Sequence, residues 1–213
     1  MDEDEARQRL IGEFGVPRET LARLKLFVNY LAAENERQNL VSRASLDEVW
    51  SRHILDSAQL LSFAPRSVGS WLDLGTGAGF PGLIVAALRR DIAVTMVEAR
   101  RLRVAFLEAA ADILRLRPDT IIRCAKVEQV ESAPFDVISA RAFAPLDRLL
   151  ALGERFATAN TRWILPKGKN AKTELDAAES LWQGSYRIEP SLTDADAGII
   201  VAENVRRKAR ARR

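Results

Sequence analysis

The stretch Asp73-Leu74-Gly75-Thr76-Gly77-Ala78-Gly79-Phe80-Pro81-Gly82 decides the fold of this chain. The apolar run Trp71–Gly75 ahead of it reads as a buried strand, and Gly82–Arg89 behind it as a helix. Alternating glycines at a strand-to-helix turn let the backbone bend sharply and come close to a ligand. In an open α/β sheet, ligands bind in the crevice beyond the carboxyl ends of the strands. Two common phosphate sites are excluded by residue type. A P-loop ends in Gly-Lys-Ser/Thr, and no Lys follows these glycines; the dinucleotide fingerprint needs a third Gly where Phe80 stands. The plain alternative is a turn that only brings helix and sheet close together. The acid at Asp73 and the strand–turn–helix context favour a ligand instead.

Working outward, short apolar runs alternate with helical stretches. Ala93–Glu98, Thr120–Ala125, Phe135–Ala140 and Arg162–Gly168 read as further strands, with a helix over Arg101–Leu114, helices expected after the third and fourth strands, and another near Lys172–Trp182. Alternation of this kind implies right-handed crossovers and a mostly parallel sheet covered on both faces. Tyr186–Pro190 and Gly198–Val205 have no room for a helix between them, so they close the sheet as an antiparallel pair. The expected fold is therefore α/β and Rossmann-like: a seven-stranded, mostly parallel sheet whose last strand is antiparallel. Cys124, inside the third strand, is expected in the core.

The first 63 residues have a different texture and read as helices, a cap on the sheet. Leu21, Leu24, Phe27, Val28 and Leu31 recur at helical spacing. A further helix is expected to open at Ser45, with Glu48 completing a capping box. Its stripe is Leu46, Val49, Trp50, Ile54, Ala58 and Leu61. Pro65 and Gly69 mark a connector. The chain thus divides into a helical extension (1–65), an α/β domain (66–205) and a basic tail (206–213).

Composition removes several function classes. The chain has 213 residues, 47% hydrophobic and 29% charged, the balance of a globular domain that can bury its own core. One Cys and one His, His53, leave no basis for a disulfide framework or a His-rich metal site. Residues 205–213 hold six of the 32 basic residues, so the net charge of +3 belongs to the end of the chain rather than to its body. The acidic start, Met1–Glu5, lacks the charge pattern of an export signal, and no apolar run could span a bilayer. A cytoplasmic monomer that binds neither metal nor membrane is the expectation.

An acid two residues before Gly-x-Gly-x-Gly resembles the first motif of the class I S-adenosylmethionine-dependent methyltransferases. That resemblance implies that Glu98, ending the second strand, accepts both ribose hydroxyls of the cofactor. Some methyl acceptors are disfavoured by what is missing. Pyrimidine carbon 5 calls for a Cys nucleophile, and Cys124 is expected in the core. Exocyclic amines use an Asn/Asp-Pro-Pro-aromatic loop, where this chain has Ser139-Ala-Arg141-Ala-Phe143-Ala-Pro145. Only Lys167 stands as a base candidate at the mouth of the sheet.

Five segments together, Asn35–Val41, Arg52–Ser57, Gly75–Gly82, Phe135–Leu146 and Leu165–Gly168, resemble the bacterial 16S ribosomal RNA guanine-N7 methyltransferases of the GidB/RsmG family. The matches run in order from about residue 25 to 200. The resemblance implies methyl transfer from S-adenosylmethionine to N7 of a guanine in 16S ribosomal RNA or the small subunit, leaving S-adenosylhomocysteine. Guanine N7 carries an unprotonated in-plane lone pair, so the reaction needs alignment rather than a base.

The resemblance further implies that Gly75, Gly77, Gly79 and Phe80 cradle the cofactor and that Val127 and Glu128 lie beside its adenine. Arg141 holds cofactor or target at the crevice, positioning without acting as a base. Lys167 and the arginine-rich segment Arg206, Arg207, Lys208 and Arg210 are candidate RNA contacts. His53 with Asp56, and Asn35 with Asn39, fit either a structural role or RNA contact. A methyltransferase of a small molecule or protein, and a cofactor-binding module without turnover, are the alternatives.

Overall fold

The computed structural model describes residues 1–209. The chain begins with α1 (Glu3–Gly12), α2 (Arg18–Gln38) and α3 (Arg43–Asp47). A continuous helical stretch follows: a π-helical turn over Trp50–Leu55, α4 (Asp56–Ala58) and a 3-10 turn over Gln59–Phe63. The third helix starts earlier than Ser45. Ser42 is its N-cap and accepts a hydrogen bond from the Ser45 backbone N–H, so the first available hydroxyl wins the cap. The wide π turn lets the stripe Val49, Trp50, Ile54 and Ala58 stay buried across the change of helical pitch. Glu3 docks α1 onto this stretch, its carboxylate accepting from the N–H groups of Trp50 and Ser51 at 2.9 and 3.0 Å.

The α/β part runs β1 (Ser70–Leu74), α5 (Gly82–Leu88), β2 (Ala93–Glu98), α6 (Arg101–Leu114), β3 (Ile121–Cys124), β4 (Val137–Ser139), α7 (Leu146–Gly153), β5 (Arg162–Lys167), α8 (Ala171–Glu179), β6 (Trp182–Pro190) and β7 (Gly198–Arg207). The sheet order is β3-β2-β1-β4-β5-β7-β6, with β7 antiparallel to both neighbours and every other pairing parallel. Trp71, Leu72 and Leu74 of the central β1 are fully buried, as a strand covered on both faces must be.

Four further expectations need correction. Cys124 is exposed, because β3 is the edge strand and its outer side is uncovered. The third strand is followed by only a short 3-10 turn, Val127–Gln129. Trp182 belongs to β6 rather than to the preceding helix. Arg206 and Arg207 are not tail residues: β7 continues through them because Trp182 and Gln183 pair with Arg207 and Arg206. Arg210 lies outside the described residues.

The helical cap and the sheet share one apolar interior. Leu24, Phe27 and Leu31 of α2 join the same buried cluster as Phe80, Phe106 and Leu107. Phe27 meets Phe80 edge-on at 5.9 Å, and Tyr30 stacks on Phe106 at 5.3 Å.

Candidate active site

The glycine loop is anchored by a hydrogen-bond relay inside the sheet. Trp71 Nε1 donates to Ser139 Oγ, which donates to Asp73 Oδ1, each at 2.8 Å. Asp73 Oδ2 accepts from the Gly82 N–H at 3.0 Å. Burial pushes the Asp73 carboxyl up to about 6, although its hydrogen bonds oppose the shift. Asp73 therefore ties β1, β4 and the start of α5 together and faces no cavity. Gly75, Gly77 and Gly79 all have positive φ, at +66°, +59° and +88°. A Cβ at Gly75 would collide with the Phe143 ring, and one at Gly79 with Leu83. At Gly77 the nearest atom to a Cβ would be 3.6 Å away, so that glycine is required by its backbone angle and not by crowding.

Three neighbouring cavities, which share lining residues, open at the carboxyl ends of the parallel strands. The first, of 480 Å³, runs along Gly75, Glu98, Arg103, Val127, Glu128 and Phe143. Glu98 is 6% exposed and locked to the glycine loop, accepting from Gly77 N–H at 3.2 Å and Arg100 N–H at 2.8 Å, with Arg103 at 3.7 Å. Val127 is buried there and Glu128 is exposed. The second cavity, of 430 Å³, includes His53, Gly77, Phe80, Arg103 and Arg141. The third, of 630 Å³, includes Arg52, Asp56, Phe143, Pro166, Lys167 and Thr193. Ala142, a non-glycine residue at φ +51°, borders all three.

Arg141 sits where these cavities meet. Its guanidinium donates to the Arg52 carbonyl at 3.0 Å and to Asp56 Oδ2 at 3.1 Å, contacts His53 Nδ1 at 2.8 Å, and lies 5.2 Å from the Phe80 ring centroid. His53 stacks on Phe80 at 4.8 Å. Arginine has only donors, so His53 Nδ1 accepts and the ring proton resides on Nε2, which finds no partner among the described residues. Burial, then Arg141 and Arg52, lower the His53 pKa to about 3. His53 is thus a neutral bracket at working pH.

Asp56 Oδ1 accepts from Gln59 Nε2 at 2.8 Å and Thr193 Oγ1 at 3.0 Å, so the β6–β7 loop is tied into the same network. Lys167 is 10% exposed at its side chain. Its Nζ donates to the Ala144 carbonyl at 3.0 Å and to Glu174 Oε2 at 2.8 Å, and that oxygen also accepts from Leu146 N–H. Lys167 therefore clamps the 141–146 loop while lining the third cavity. Asn35 is structural, its Oδ1 capping Val41 N–H at 2.9 Å, while the exposed Asn39 ends α2 in a left-handed conformation.

The expected site residues fall into two groups. Gly75, Gly77, Phe80, Glu98, Val127, Glu128, Arg141 and Lys167 converge on these cavities, with Gly79 completing the turn. Arg206, Arg207 and Lys208 do not. β7 is ten residues long and starts at Gly198 on the third cavity, which puts its far end about 30 Å away. Arg207 there covers Trp182, and Lys208 Nζ donates to the Glu179 carbonyl. Sequence reasoning gave no role to Phe143, Glu174 or Thr193. For Phe143 a signal existed: it lies in the same segment as Arg141. Among the described residues no three His, Cys, Asp or Glu side chains converge as a metal site requires, and no helix is long and apolar enough to cross a membrane.

A seven-stranded sheet of this order, with a glycine loop and an acid at the end of β2, defines a class I S-adenosylmethionine-dependent methyltransferase. Solved structures share the fold: an O-methyltransferase from Bacillus cereus in complex with SAH has a TM-score of 0.61 at 15% identity, covering 92% of this chain and 96% of that one. A ribosomal protein L11 methylase from Lactobacillus delbrueckii subsp. bulgaricus has a TM-score of 0.57 at 16% identity, covering 73% and 78%. A model of the family described as rRNA small subunit methyltransferase G matches residues 20–199. The ribosomal RNA small subunit methyltransferase G of Novosphingobium aromaticivorans is 53% identical over 85% of this chain and 80% of its own length. That of Rhizorhabdus wittichii is 46% identical over 96% and 94%. The chain belongs to the rRNA small subunit methyltransferase G family and is an S-adenosylmethionine-dependent rRNA methyltransferase.

Proposed function

We propose that the chain methylates N7 of a guanine in 16S ribosomal RNA, as a cytoplasmic monomer and without a metal. The observation that carries this reading is spatial. Residues from all five segments that resemble the guanine-N7 family, Asn35–Val41, Arg52–Ser57, Gly75–Gly82, Phe135–Leu146 and Leu165–Gly168, line neighbouring cavities that share lining residues.

The chemistry of the cavity lining supports the cofactor. The open, positive-φ Gly77 leaves room for close approach, and Glu98 stands at the rim as a hydrogen-bond acceptor. In this reading Gly75, Gly77, Gly79 and Phe80 hold the methionine side, Glu98 the ribose, and Val127 with Glu128 the adenine. When bound, S-adenosylmethionine supplies a methyl carbon on a sulfonium, which the N7 lone pair accepts while S-adenosylhomocysteine leaves. The protein need remove no proton. His53 is held neutral and its free Nδ1 lone pair is taken by Arg141, while Asp73 faces no cavity. What the residues supply is alignment, and carboxylates (Asp56, Glu174) near the cation that appears on guanine.

Borohydride–aniline cleavage of small-subunit RNA, from cells with and without the gene, tests the reading by mapping N7-methylguanine. One cleavage present only with the gene is expected, and its absence would overturn the assignment. Single-turnover transfer should be flat from about pH 6.5 to 9, since no enzyme group must ionise in the range of a catalytic base. Arg141→Ala should slow transfer strongly at saturating RNA, and an unchanged rate would remove Arg141 from the reacting centre.

A further inference from the structure

The 141–143 segment is a partition. Ala142 borders every cavity of the site, Arg141 separates the 430 Å³ cavity from the 630 Å³ one, and Phe143 separates the 480 Å³ cavity from the same 630 Å³ cleft. The Phe143 ring stands directly on Gly75, where even one added carbon would strike it, and it is only partly buried. Its loop is held from both ends. Lys167 grips the Ala144 carbonyl, Glu174 receives Lys167 and the Leu146 N–H, and Arg141 is fastened to Arg52, His53 and Asp56. An aromatic face presented to a cleft on so many anchors has a defined orientation.

We propose that the 630 Å³ cleft seats the guanine to be methylated, and that Phe143 is the platform on which the base stacks. The proposal rests on the guanine-N7 reading above. Its logic is geometric. The N7 lone pair lies in the plane of the base, so the methyl carbon must be met in that plane. A base free to tilt seldom presents N7 correctly, whereas one stacked on a rigid ring has its plane set and its edge left free. A nucleotide drawn out of its stack is commonly received between aromatic and apolar side chains, and this cleft is of a size usual for such a ligand. The Lys167–Glu174 pair lines the same cleft and acts as a positioning clamp by fixing the loop that carries Phe143.

The test compares Phe143→Leu, which keeps apolar bulk without a flat face, with Phe143→Tyr, which keeps the ring. Each variant is titrated with S-adenosylhomocysteine by calorimetry. Each then transfers tritiated methyl groups, in single turnover, to small ribosomal subunits from cells lacking the gene. Phe143 also lines the 480 Å³ cavity, so Phe143→Leu is compared at saturating S-adenosylmethionine and saturating subunits. There it should transfer about tenfold or more slowly, a larger loss than any in its S-adenosylhomocysteine affinity, as the loss of one base–aromatic stack requires. Phe143→Tyr should restore the rate. Lys167→Met, which leaves the ring in place and releases the Ala144 carbonyl, should lower the saturated rate with S-adenosylhomocysteine binding unchanged; this arm stands even where the Leu variant folds poorly. Wild-type transfer by Phe143→Leu, a parallel loss of S-adenosylhomocysteine affinity, or failure of Tyr to rescue would overturn the platform. If the unaltered protein makes no N7-methylguanine, the guanine-N7 reading falls first. If it does and the variants behave otherwise than stated, only the platform falls.

Discussion

Gly77 and His53 show how differently two site residues carry constraint. Gly77 has space around it but a φ of +59°, a conformation that a β-branched residue adopts only under strain. Gly77→Val should therefore weaken S-adenosylhomocysteine binding at least about tenfold by calorimetry while the protein still folds, and Gly77→Ala should weaken it less. Equal binding by all three would mean that the turn is not the cofactor cradle. His53 carries an electrostatic constraint. Unfolded, it takes up a proton near its ordinary pKa of 6.5; folded, only near 3. Stability linked to His53 is therefore complete above pH 6.5 and is lost as pH falls through that window, at up to about 1.4 kcal/mol per pH unit. Asp73 acts oppositely, since a carboxyl raised to about 6 favours the fold as pH falls from 6 towards 3.8. His53→Asn should remove the acid-side loss, so urea midpoints of the two proteins should move apart between pH 7 and 4.5, with the natural protein falling relative to the variant. Parallel curves would show that His53 is not held neutral. The need for glycine at position 77 was legible from residue type alone. The bracket role of His53 was not, because a lone His on a helix says nothing about which side chain arrives from 88 residues away.

At the scale of elements, periodicity and turn chemistry revealed the order of strands and helices, and they failed where neighbours decide. Cys124 looks like a core residue in a run of apolar residues, yet edge position is a property of the sheet and not of the strand. Likewise β7 outlasts its own apolar pattern because β6 offers backbone partners as far as Arg207. The cap is an element-scale matter too. Phe27 is fully buried between α2, Phe80 and Phe106, so the helices before residue 65 and the sheet after it are stabilised by the same contacts. Phe27→Ala should cost about 3–5 kcal/mol. Thermal unfolding followed by circular dichroism, beside loss of S-adenosylhomocysteine binding, should show one transition in which helix content and binding vanish together. A cap that melts first and leaves binding intact would contradict the shared interior.

For the molecule as a whole, the cavities lie at one end of the sheet and Arg206 and Arg207, which close β7, at the other. Arg206, Arg207, Lys208 and Arg210 were expected to help hold RNA, and the distance of the first three from the cleft sharpens what their help can be. Deleting 210–213, which leaves the β6–β7 pairing whole, should reduce affinity for small ribosomal subunits and flatten its salt dependence, while the saturated single-turnover rate stays within about twofold. Loss of chemistry at saturating subunits would place the terminus in the reacting centre after all. Should the far end of β7 meet RNA at Arg206, its ten residues act as a ruler between two points of contact. A substrate can satisfy both only if it is itself some 30 Å across and stiff enough to hold a guanine at one end while offering phosphates at the other. A short hairpin carrying the right base would reach the cleft and leave the far cations unanswered. Selection between fragments and a folded ribosomal particle can then come from the size of the strand, with no additional base being read.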